Sequence, residues 1–150
     1  MIPQSPKPQA KTAHVMTSLF GSPRDLLGLP LIAMHVVMAM RLCVICARTG
    51  QDPATALEQR FHSALAARRF RVLVMSIDQA WPDAFLINRP CCALLTPDEV
   101  MIADLAATAA YGDRAAFDTV SRDMLSGEVR DQLHIRFSAF MRALNAAGKG

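Results

Sequence analysis

The side chains best suited to chemistry in this chain are its four cysteines, set out as a vicinal pair, Cys91-Cys92, and a Cys-x-x-Cys pair, Cys43 and Cys46. Cys91 and Cys92 follow Arg89-Pro90 and stand just ahead of Thr96-Pro97-Asp98-Glu99, which has the marks of a helix start. A positive helix end and a neighbouring guanidinium both stabilise a thiolate, so this pair is the candidate for a reactive thiol. Thiolates also take soft metals. Were the two pairs to meet, Cys43, Cys46, Cys91 and Cys92 would offer four sulfur ligands with His35 as a substitute donor, although the spacing fits no zinc motif. On a helix, Cys43 and Cys46 share one face, and their apolar neighbours Leu42, Val44 and Ile45 favour plain packing.

Other reactive groups are scattered. His14, His35, His62 and His134 do not converge in sequence, and no nucleophile has a base set beside it, so an enzyme is not the preferred reading. His35 reads as a hydrogen-bonded core residue. The chain has no phosphate-cradling glycine loop, no Gly-x-Ser-x-Gly and no His-Glu-x-x-His. Arg60, Arg68, Arg69 and Arg71 form the one basic patch, but a net charge of +3 is mild and nucleic acid is not the expected partner. The patch reads as a solvated helix end, where cations suit the negative dipole terminus.

The elements that must carry these residues are helical. Of 150 residues, 52% are hydrophobic and only 6% aromatic, so the apolar content is chiefly Ala, Leu, Met and Val, which suits helices. The pattern predicts an all-α fold: a single compact domain of about six helices over residues 23–147, behind a flexible N-terminal arm at 1–22 rich in proline and polar residues. Within the arm, Val15, Met16, Leu19 and Phe20 suggest a short docking helix.

Pro30 opens a first helix that runs to about Arg48 before Thr49-Gly50, and Asp52-Pro53 starts a second. A junction is expected near Ala67–Arg71, followed by a third helix from Val72 to Pro82. Pro90 then keeps the vicinal cysteines on a non-helical connector. The fourth helix spans Pro97 to about Tyr111 and stops at Gly112, the fifth is capped by Asp113 and stops at Gly127, and the sixth carries Val129, Leu133, Phe137, Phe140 and Leu144 at helical steps.

Residues 31–47 form an apolar run that approaches the length of a membrane span, but Arg41 and His35 lie within it and point to a buried core helix. With no signal peptide, the four cysteines read as intracellular thiols and not as a disulfide framework, so a cytoplasmic protein without a cofactor is expected, with a soft metal ion as the alternative. Nine methionines and a mean hydropathy of +0.22 in so short a chain point to a subunit interface, with a symmetric homodimer as the expected partner arrangement.

The segment Pro90-Cys91-Cys92 with Leu95-Thr96, Asp98-Glu99 and the Ala-rich helix that follows resembles an uncharacterised family of small helical proteins, mostly alphaproteobacterial. The resemblance extends over residues 31–144 and implies an all-helical fold without assigning a function. Many of those proteins carry a third consecutive cysteine where this chain has Ala93, a departure that weakens a three-thiolate metal site here.

Overall fold

The computed structural model describes residues 25–148. Among these, a 3-10 turn at Leu26–Gly28 precedes six helices: α1 (Leu31–Arg48), α2 (Ala54–Phe61), α3 (Ala64–Ala80), α4 (Pro97–Ala110), α5 (Arg114–Ser121) and α6 (Gly127–Gly148). The all-helical class follows the composition. The readings of residues 1–22 as a flexible arm and of Val15, Met16, Leu19 and Phe20 as a docking helix lie outside the described residues.

Local signals account for most helix ends. Asp52 Oδ1 accepts from the Ala54 amide at 3.0 Å, Asp113 Oδ1 from Ala116 at 3.0 Å, and Thr96 Oγ1 from Glu99 at 3.0 Å. At the end of α1, the Thr49 hydroxyl donates back to the Ile45 carbonyl at 3.0 Å, and Gly50 then takes φ +71°, a conformation open to glycine without a Cβ penalty.

Two boundaries depart from the expectations of sequence. The junction near Ala67–Arg71 does not exist: α3 runs unbroken through that basic stretch, and the break falls at His62-Ser63. His62 adopts a left-handed φ of 55°, and Ser63 Oγ accepts from the Ala66 amide at 3.0 Å, so a cap that lacks glycine or proline does the work of a turn. Arg68, Arg69 and Arg71 therefore lie in the first half of α3 and not at a helix end. Gly127 likewise does not stop α5, which ends at Ser121; it is the first residue of α6, whose start is held by Ser126 Oγ accepting from Val129 at 3.3 Å.

The core has two adjoining parts. In the larger, α3 and α6 pack along each other, and Phe61 of α2 joins them: ring centroids are 5.3 Å apart for Phe61–Phe70, 5.1 Å for Phe61–Phe140 and 5.2 Å for Phe70–Phe140. Tilted and edge-on pairs of this kind contribute about 0.5–1.5 kcal/mol each beyond the area they bury. In the smaller part, Leu26 and Leu29 from the entry turn pack with Ala33 and Val37 of α1, Leu95, and Val100 and Ala103 of α4. Small residues on α1 and α4 let these two helices lie close together. α1 is long and apolar enough in composition to cross a membrane, yet its Ala33, Val36, Val37, Ala39, Met40 and Arg41 are buried within this fold.

Candidate functional site: the connector of the vicinal cysteines

Between α3 and α4, residues 81–96 follow an irregular path that carries Cys91-Cys92. Pro90 and Cys91 occupy the middle of a turn closed by the Cys92 amide donating to the Arg89 carbonyl at 3.0 Å, a position suited to proline. Cys91 is exposed on this turn and Cys92 is half-buried.

A long non-helical segment leaves its own carbonyls and amides without regular partners, and here one buried ion pair supplies many of them. Arg41, in the middle of α1, is 0% exposed, and Glu99, in the first turn of α4, is 1% exposed. Arg41 Nε donates to Glu99 Oε2 at 2.8 Å and Nη2 to Oε1 at 3.0 Å, the bidentate geometry a planar guanidinium favours. The remaining guanidinium protons reach the connector: Nη1 donates to the Cys92 carbonyl at 2.7 Å and Nη2 to the Leu94 carbonyl at 3.0 Å.

Glu99 completes the arrangement, because its oxygens also accept from the Thr96 amide at 3.0 Å and the Asn88 amide at 3.2 Å. The capping box legible at Thr96 and Glu99 is thus formed, and the same carboxylate does a second task. Asp98 holds the other end, accepting from Trp81 Nε1 at 3.1 Å and from the Leu86 amide at 2.8 Å. Thr96 Oγ1 donates to the Leu86 carbonyl at 2.8 Å, and Asn88 Nδ2 to the Leu94 carbonyl at 2.7 Å. These bonds tie the connector to the start of α4, and those of Arg41 tie Cys92, Leu94 and Glu99 to α1. In the first turn of α4 the Glu99 amide donates to Thr96 Oγ1 at 3.0 Å and the Val100 amide to the Thr96 carbonyl at 2.9 Å.

The two cysteine pairs do not form one site. Among the described residues, no three His, Cys, Asp or Glu side chains come together as a metal ion would need, so the four-sulfur set of Cys43, Cys46, Cys91 and Cys92 is not assembled. Cys46 is buried, and Cys43 lines a cavity of about 490 Å³ with Asp52, Arg71 and Met75. Burial first, and then the neighbouring Cys46, push the Cys43 thiol up to about 11, with Arg71 opposing, which leaves it protonated and a poor nucleophile.

The basic patch also divides. Arg71 Nη1 pairs with Asp52 at 3.1 Å on the surface, Arg68 and Arg69 are exposed on α3, and Arg60 turns instead towards His35 and His62. His35 is not the hydrogen-bonded core residue expected from its apolar surroundings: it is half-buried and its Nδ1 has no partner. It lies with Arg60, Phe61 and His62 around a cavity at the end of α2.

Met34 and Met38, both half-buried, pack against the smaller part of the core. Leu31, Met34, Met38 and Arg41 recur on α1 at steps of three, four and three, and thus share one side of that helix. Arg41 reaches Leu94, Leu94 forms an isolated bridge with Asp25, and the Leu26 amide donates to the Ala93 carbonyl at 2.7 Å. Leu27, Leu31 and Leu94 are 81%, 65% and 50% exposed.

No family model, curated protein or solved structure matches the chain.

Proposed function

We propose that this is a non-enzymatic helical protein that acts through protein contacts and pairs with a second copy of itself through the face built from Leu27, Leu31, Met34, Met38 and Leu94. The observation that carries this reading is the exposure of three leucines on neighbouring segments, with two half-buried methionines beside them. Clustered apolar surface of this kind is costly in water and marks contact sites, and a self-complementary patch closes into a symmetric dimer. Arg41 supports the same reading, because its bonds to the connector hold Leu94 beside α1.

Within this proposal α1 is a core helix and not a membrane span, since carrying the Arg41–Glu99 pair into a bilayer would be unfavourable. Reduced cysteines fit the cytoplasm. Membership of the helical family suggested by Pro90-Cys91-Cys92 and Leu95-Thr96 belongs to the same proposal.

Light scattering on the full chain across a concentration series tests it. A mass of two chains that falls to one in Leu31→Glu supports the face; a wild-type mass of one chain at every concentration overturns it. A second reading, thiol chemistry, rests on the exposure of Cys91. It predicts that Cys91 reacts far faster than glutathione at neutral pH, and a rate equal to that of a free thiol would remove it.

A further inference from the structure

Arg68 and Arg69 have no local explanation in this fold. At a helix C-terminus cations suit the dipole, but these two lie in the first half of α3. A surface arginine gains from a carboxylate three or four residues along its helix, as Arg114 does from Asp118 at 2.9 Å. The corresponding neighbours of Arg68 are Ala64, Leu65, Arg71 and Val72, and those of Arg69 are Leu65, Ala66, Val72 and Leu73. No carboxylate occurs between Glu58 and Asp78, and among the described residues neither arginine has an ion pair.

The same side of α3 is apolar between its charges. Leu65, Arg68, Val72, Met75 and Gln79 follow steps of three, four, three and four and so share one side of the helix, with Arg69 and Ser76 next to them. Leu65, Val72 and Met75 are exposed, whereas Ala66, Phe70, Leu73 and Ile77 on the opposite side are buried in the core. A cavity of about 320 Å³ opens beside this outer side, where Ser76 and Gln79 meet Gln132 and Arg136 of α6, with Glu128 as its one carboxylate.

Charge and shape select the occupant. A second copy is a poor match, because a two-fold contact would bring together two surfaces whose only charges are arginines. A bilayer interface is anchored by Trp and Tyr, which this side lacks, and a planar surface would leave the cavity between α3 and α6 unfilled. An amphipathic helix with carboxylates on its flanks satisfies both the free guanidiniums and the exposed apolar side chains.

We propose that this side of α3, together with Arg136, binds an acidic amphipathic helix of another protein. Carboxylates of the partner accept from Arg68, Arg69 and Arg136, and its apolar side chains cover Leu65, Val72 and Met75. These residues belong to segments other than those of the pairing face around Leu31, so either proposal can fail without the other.

The test titrates the full chain with a capped peptide of Glu, Leu and Ala, its leucines at steps of three and four and its glutamates beside them, and follows amide chemical shifts. Saturable shifts are expected in residues 65–79 and 129–136 and not in 26–34. Replacing the glutamates by glutamine should weaken binding at least about tenfold, since two or more exposed charge pairs are lost. Arg68→Glu with Arg69→Glu should weaken the acidic peptide by a similar factor and gain affinity for a version with lysine in place of glutamate. The proposal is overturned if the acidic peptide moves no signal in 65–79 or if the glutamine peptide binds equally well. It is also overturned if vesicles of phosphatidylserine and phosphatidylcholine, or single-stranded DNA, bind residues 65–79 more tightly than the peptide does. The wild-type comparisons decide the matter even where the double variant fails to fold.

Discussion

Arg41 is a fully buried cation in the middle of α1, and its charge is met by Glu99 at 2.8 Å. In an apolar run its charge argues against a membrane, which is as far as local reasoning goes. Its partner Glu99 is 58 residues away and already has a complete local explanation as the third residue of a capping box. A pairing of this kind depends on α1 and α4 lying side by side, and no spacing in the sequence encodes it.

Removing one partner strands a buried charge and the carbonyls of Cys92 and Leu94 with it. Arg41→Met is therefore expected to cost about 3–5 kcal/mol in urea unfolding. The double change Arg41→Met with Glu99→Leu should recover part of that loss, since no uncompensated charge remains. Equal destabilisation in the double and single variants would contradict a direct pair.

Titration acts on single residues too. Burial lowers His35 and His134 from the ordinary imidazole value of 6.5, with Arg60 and Arg114 respectively adding to the effect. Their unfolded forms take up protons at higher pH than the folded ones, so stability is full above about 6.5 and declines as pH falls below it. Cys43 behaves oppositely: its raised value favours the thiol in the fold, so stability declines as pH rises from 9.0 to about 11. Urea midpoints across pH, with His35→Gln flattening the acid limb and Cys43→Ala the alkaline one, check both signs.

At the scale of elements, the helices with strong caps or long apolar periods are legible, and the connector is legible as non-helical because Pro82 and Pro90 interrupt it. The α2–α3 junction is not. Nothing in His62-Ser63 resembles a conventional stop, and the three arginines that follow look like a helix end, although they lie within α3. Ser63 was the available signal, a good cap residue ahead of an apolar period. Ser63→Ala should cost about 1 kcal/mol. His62→Gly should stabilise by up to about 1 kcal/mol, because glycine takes the left-handed conformation freely. Thermal unfolding of the two variants reads both, and a loss on His62→Gly would mean that its side chain, and not its backbone, matters there.

For the whole molecule, composition makes a dimer the expectation, and the packed chain leaves Leu27, Leu31 and Leu94 exposed on an entry turn, a helix and a connector. Exposed apolar residues also occur on α3, at Leu65, Val72 and Met75, so the choice of face is open to a direct contest. Amide hydrogen exchange of the wild-type chain at low and high concentration decides it. Pairing through the proposed face predicts slower exchange at high concentration in residues 26–34 and 92–95, with residues 65–75 unchanged. Exchange independent of concentration in both regions, or protection confined to 65–75, would contradict the account.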